Sequence, residues 1–167
     1  MAEVAVFWIL PAAFLVAAFL DITRYTIPNW LTAGIALAFP LVALWAGLPP
    51  MVILVHLGVG IFALGLGMMF FALGWLGGGD AKLVAGAALW AGPTAVWAFA
   101  LTAALAGGVL TVFLIFFRKL PLPPFLASQK WIARLHDHNG DIPYGVALAA
   151  GAIYALPLMT LSQALTM

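Results

Sequence analysis

Gly77-Gly78-Gly79-Asp80-Ala81-Lys82 breaks a chain that otherwise reads as membrane sequence, and a second carboxylate, Asp21, closes an earlier apolar run. What surrounds the hexapeptide makes it decisive. Of the 167 residues, 66% are hydrophobic and 7% charged, against about 25% charged in an ordinary soluble domain. Mean hydropathy is +1.20. The composition specifies an integral membrane protein, all-α in class, and the length holds about six spans of about 20 residues. No soluble domain of useful size fits beside them. A carboxylate in such a setting costs about 2.5–3.5 kcal/mol at a helix centre and less near the interface. Asp21 and Asp80 therefore need a reason.

Apolar runs separated by polar or Pro/Gly breaks predict spans near 3–20, 30–47, 51–74, 81–92, 94–117 and 143–162, as one polytopic domain. Leu48-Pro49-Pro50 joins the second and third in a tight turn. The fourth is short. From Asp80 to Gly92 a helix reaches only about 20 Å, less than a hydrocarbon core of about 30 Å, and Gly92-Pro93 ends it. Asp80 is thereby placed at or near a helix N-terminus, where unpaired N–H groups favour negative charge.

With six spans, the loops at 21–29, 75–80 and 118–142 share one side. All six basic residues (Arg24, Lys82, Arg118, Lys119, Lys130 and Arg134) belong to it. That asymmetry makes those loops cytoplasmic and puts both termini on the other side. Val4 to Leu20 is read as a retained first helix, because Glu3 is the wrong charge for a secretory leader. In the 118–142 loop, Ser128 to Leu135 is expected to form a short amphipathic helix on the membrane surface.

Cysteine is absent, which removes thiol nucleophiles and thiolate metal sites. His136, Asp137, His138 and Asp141 lack the further spaced ligands of a zinc set and read as a solvated loop, so no metal and no cofactor are expected. His56, inside an apolar span, reads as a packed and hydrogen-bonded helix residue. Gly58, Gly60, Gly65 and Gly67 read as helix-packing positions. No basic aromatic patch suggests nucleic acid.

Two carboxylates about 4 Å apart repel by about 4 kcal/mol at an effective dielectric of 20, enough to keep one protonated while the other is ionised near neutral pH. Such a pair can deprotonate a water and protonate a carbonyl or leaving amine. Gly77, Gly78 and Gly79 would let an extended substrate approach the backbone beside Asp80. Lys82 either steadies one ionised aspartate, meets a substrate carbonyl, or simply anchors the chain at the positive face. The same acids would also suit a proton relay in a small transporter, or an anchor protein in which Asp21 merely faces Arg24 and Asp80 faces Lys82.

Asp21 with Arg24 and Ile27-Pro28-Asn29, then Gly77-x-Gly79-Asp80-x-Lys82-Leu83, then Ile142-Pro143-Tyr144-Gly145, resemble the type IV prepilin peptidases, the Gly-x-Gly-Asp class of intramembrane aspartyl proteases. The resemblance runs in order through most of the chain. It implies that Asp21 and Asp80 are the catalytic pair, on six helices. They would cut the basic leader from prepilin-like partners at the cytoplasmic face of a bacterial inner membrane. Long members carry an N-terminal region with paired Cys-x-x-Cys motifs and methylate the new terminus. The lack of cysteine resembles the short, peptidase-only form associated with Flp or tight-adherence pili, with no methyltransferase activity implied.

Overall fold

A computed structural model describes residues 2–138 and 140–166, and all regular structure among them is helical. Helix α1 (Ala2–Arg24) is continuous, with a π-helical stretch at Ala5–Ile9. It is followed by α2 (Asn29–Trp45), α3 (Pro50–Ala72) and α4 (Gly78–Phe117). Two short helices, α5 (Pro124–Ala127) and α6 (Lys130–His136), lie in the polar loop. Then come α7 (Tyr144–Ala155), a 3-10 turn at Leu156–Leu158, and α8 (Thr160–Thr166).

Three of these helices, α1, α3 and α4, are long and apolar enough to cross a membrane. A fourth crossing results if α7 with its turn and α8, bent by 42°, form one span. Helix α2 is apolar but has only 17 residues. Segments 3–20, 30–47 and 51–74 correspond to α1, α2 and α3, segments 81–92 and 94–117 lie within the 40 residues of α4, and segment 143–162 covers α7, its turn and the start of α8, bent between Leu158 and Thr160.

The break expected at Gly92-Pro93 is nevertheless present inside α4. Gly92 has φ 61 and ψ −170, outside the helical region, at a sign of φ that glycine adopts without steric penalty. The chain turns back there. Leu76 and Thr111 line one cavity, whereas 35 residues of straight helix would hold them about 50 Å apart. The two limbs of α4 are thus a hairpin. Pro93 has no N–H for the Leu89 carbonyl one turn earlier. His56 of α3 supplies the missing donor, with Nδ1 at 2.9 Å from that oxygen. Its ring also stacks on Phe39, centroids 5.0 Å apart. The packed, hydrogen-bonded role read for His56 is the one observed.

Helix α3 lies along the first limb of α4. A β-carbon on Gly60 would fall 2.9 Å from the Leu89 Cβ, and one on Gly67 would fall 3.1 Å from the Ala81 Cα. Gly58 and Gly65 face open space, so only half of the expected packing glycines pack. Helix α7 closes on the second limb, where Gly151 meets Phe99 and Ala103. Phe14, Phe39, Leu83, Trp90 and Met159 fill the centre. The Trp90 indole N–H donates to the Ile35 carbonyl at 2.8 Å. The surface helix expected at Ser128 to Leu135 appears as α6, shifted to Lys130–His136, with Trp131 exposed and Leu135 buried.

Candidate active site

Asp21 lies in the last turn of α1. The helix stops at Tyr25, a left-handed C-cap with φ 54 whose N–H donates to the Asp21 carbonyl at 2.8 Å. The Asp21 carboxylate is buried, 6% exposed, and so needs hydrogen-bond donors. It finds one 124 residues away: the Gly145 N–H donates to Asp21 Oδ2 at 2.7 Å. Gly145 is the second residue of α7, and N–H groups in a first helical turn have no partner within their own helix. Asp21 thus caps α7 from another helix, where its charge also meets the favourable end of the helix dipole. A β-carbon on Gly145 would sit 2.8 Å from that same oxygen.

Asp80 is built differently. Helix α4 begins inside the glycine run, with Gly77 as its N-cap and Asp80 three residues on. The Asp80 carboxylate folds back to accept from the Gly77 N–H, the return half of a capping box. The bond needs glycine there, since a β-carbon at Gly77 would fall 2.9 Å from Asp80 Oδ2. The other oxygen, Oδ1, is buried and has no hydrogen-bond partner among the described residues. Buried polar atoms are rarely left so.

The two carboxyls share one corner of the molecule, near enough for the charge of Asp21 to act on Asp80. The loop after α1 holds them in register. Gly79 packs on Ile27, and the Lys82 ammonium donates to Asn29 Oδ1 at 2.7 Å. Gly78 faces the Phe71 ring. Among the sequence-predicted residues, then, Asp21, Asp80 and Gly77 come together. Gly78 and Gly79 pack against apolar side chains in the first turn of α4, and Lys82 turns to Asn29. Neither carboxylate takes its observed hydrogen bond from Lys82 or Arg24.

An apolar cavity of about 580 Å³ opens beside the pair. Val84, one turn beyond Asp80, lines it, as do Leu76, Ala103, Gly107, Thr111 and Tyr144. It adjoins a second cavity, of about 740 Å³, that shares Leu76, Val84, Phe99 and Ala100 and runs along α3. Among the described residues no three His, Cys, Asp or Glu side chains group as metal ligands. The His136 Nε2 lies 2.8 Å from the Leu120 carbonyl.

Sequence reasoning did not give Gly145 a partner, nor did it single out Tyr25 or Arg118, which appear below. Pro143 stands at the helix start, where unused N–H groups follow. Which acid would take them was not readable.

A comparison with curated proteins returned no match, and neither did one with solved structures. A family model described as the type IV leader peptidase family matches residues 8–112, a stretch that contains both aspartates. That match covers well over half of the 167 residues. Two helix starts that bring buried acids to one corner of an apolar helical chain, within a match of that extent, leave one conclusion: the chain belongs to the type IV leader peptidase family, and is a membrane peptidase.

Proposed function

We propose that the protein is a membrane-embedded aspartyl endopeptidase that removes the basic leader from type IV prepilin-like substrates at the cytoplasmic face of a bacterial inner membrane. One observation carries this reading: two buried carboxyls act on one another, each held by a single backbone N–H, and one buried oxygen of Asp80 has no partner among the described residues.

Like charges at close range leave such a pair with one proton between them. The ionised member takes a proton from water, and the water oxygen attacks the scissile carbonyl carbon. The protonated member gives its proton to the carbonyl oxygen, forming a tetrahedral diol. Collapse of the diol breaks the C–N bond as the amine nitrogen takes a proton from the acid that the water charged. The proton remaining on the new carboxyl side returns the pair to its starting state. Backbone N–H groups orient both carboxylates through this cycle without competing as acids.

In this reading the basic leader is drawn by the acidic corner and by the cytoplasmic face, and the apolar segment after the scissile bond lies in the cavities beside α4. Gly77, Gly78, Gly79 and Lys82 shape its approach. The reading counts each limb of α4 and the bent α7–α8 pair as a crossing, six in all, with both termini on the non-cytoplasmic side. The activity is peptidase only, of the Flp or tight-adherence type, with no methyl transfer.

The test is cleavage of a prepilin with a basic leader by purified protein in detergent, with Asp21→Asn and Asp80→Asn alongside. Each substitution keeps the shape and a hydrogen-bond acceptor while removing acid-base function. A loss of at least about a thousandfold in kcat is expected in both, as for other groups that act together on one water. Retained cutting by either folded variant removes that residue from the chemistry. No cutting by wild type, with activity that follows an ion gradient instead, would favour a proton relay.

A further inference from the structure

The loop between α4 and α7 has its two ends tied by one side chain. Arg118, the residue after α4, donates from Nε to the Leu135 carbonyl at 2.9 Å and from Nη2 to the Asp141 carbonyl at 2.9 Å. The Asp141 carbonyl accepts a second bond, from the Tyr25 hydroxyl at 3.3 Å. Tyr25 is the cap that ends α1, bonded through its N–H to Asp21. The Arg134 guanidinium lies 5.6 Å from the Tyr25 ring centroid, within cation–π range. Burial pushes the Tyr25 phenol above its ordinary value, so it is a donor at neutral pH. One carbonyl is therefore fixed from both the end of α4 and the end of α1. Four residues later the same backbone delivers the Gly145 N–H to Asp21. Between them stands Pro143, whose ring restricts φ and leaves the segment little freedom to absorb a shift at Asp141.

We infer that Arg118, assisted by Tyr25, is a positioning residue for the aspartate pair: by fixing the 141–145 segment it keeps the Gly145 N–H on Asp21 and that carboxylate turned toward Asp80. The inference rests on the reading of the pair as catalytic. Arg118 touches no reacting atom in this scheme. It reaches two carbonyls in different directions through one rigid planar fork, which a lysine ammonium at the end of a flexible stem cannot reproduce. Arginine rather than any cation is what the geometry requires.

Tyr144-Gly145 is the one Tyr-Gly pair in the sequence. Carbonyl-¹³C tyrosine with ¹⁵N glycine therefore isolates the Gly145 amide in a two-dimensional spectrum of the detergent-solubilised protein. Its proton should resonate downfield and exchange slowly in wild type, and shift in Asp21→Asn. In Arg118→Gln the signal should move upfield and its exchange should quicken by about ten- to hundredfold, the loss expected for one hydrogen bond to a charged group. Cleavage should lose about the same factor in kcat with KM unchanged. Arg118→Lys should recover part of both, and Tyr25→Phe should show a smaller loss.

An unmoved Gly145 amide in Arg118→Gln overturns the inference. So does an amide that moves without a fall in kcat, or an effect confined to KM. If Arg118→Gln fails to fold, judged by circular dichroism, Arg118→Lys against wild type decides on the same readouts. Failure of wild type to cut any prepilin sinks the peptidase reading instead, while the amide comparison still decides whether Arg118 holds Gly145 on Asp21.

Discussion

A β-carbon on Gly145 would meet Asp21 at its Oδ2, Cβ and Cγ, all within 3.0 Å. Gly145→Ala should therefore displace the carboxylate while leaving a helix start intact, since alanine is the better helix former. The expected result is normal helical content with cleavage reduced by about ten- to hundredfold or more, measured as kcat/KM on one prepilin. Gly77→Ala should act on Asp80 in the same way, by its predicted clash at 2.9 Å. Tyr25 gives a pH test that needs no substrate. Its phenol is held above the ordinary value chiefly by burial, with nearby Asp21 and Asp141 adding to the effect and Arg118 and Arg134 opposing it. The unfolded chain releases that proton first, so the contribution to stability is full below about pH 10 and is lost as pH rises through the higher folded value. An alkaline absorbance titration should show a late-ionising step from Tyr25, and Tyr25→Phe should remove it. At this scale Asp21 and Asp80 were legible because a carboxylate among apolar runs is energetically conspicuous. Gly145 was not, because what it contributes is a backbone N–H that nearly every residue carries. Arg118 was legible only as a positive charge on one face, since its partners are carbonyls that leave no mark in a sequence.

The element that most shapes the molecule is the hairpin of α4. Its reversal depends on three residues from two helices: Gly92 for the backbone angle, Pro93 for the missing donor, and His56 for the replacement. Gly92→Ala would bring a β-carbon into the His56 ring as well as straining φ. It should destabilise by about 3 kcal/mol or more in a denaturant titration in detergent. His56→Ala leaves the Leu89 carbonyl without its donor and removes a stacked ring, which should cost about 2–4 kcal/mol. Gly58→Ala, in open space, should be neutral or slightly stabilising. Pro93 and Gly92 announced the break in the sequence. That His56 serves it was hidden, because hydrogen bonds between helices carry no periodic signal. The division of the four glycines of α3 into packing and open positions was equally hidden. Composition marks a small residue, and only the direction of the neighbouring helix says which of them it meets.

For the whole molecule, the all-helical membrane class followed directly from hydropathy, whereas hydropathy alone does not fix the number of crossings. Hydropathy counts apolar stretches, whereas a hairpin inside α4 and a bend after α7 decide how those stretches are joined. The absence of native cysteine makes the count measurable. Single cysteines at Thr26, Trp75 and Ser128 should react with an impermeant maleimide only from the cytoplasmic side of oriented vesicles, and one at the exposed Pro49 only from the other. Labelling of position 49 and position 75 from the same side would remove the six-crossing arrangement.

The bond between Gly145 and Asp21 spans 124 residues, and it sets an order in time. Asp80 takes its N–H from Gly77, three residues away, and can be oriented as soon as the first turn of α4 forms. Asp21 leaves the ribosome early and stays without its donor until the chain has grown past residue 145 and α7 has packed against α1. A nascent chain halted before that point carries both acids and no assembled centre. On the proposed reading of the pair, the peptidase is silent throughout its own synthesis and gains activity only when Gly145 reaches Asp21.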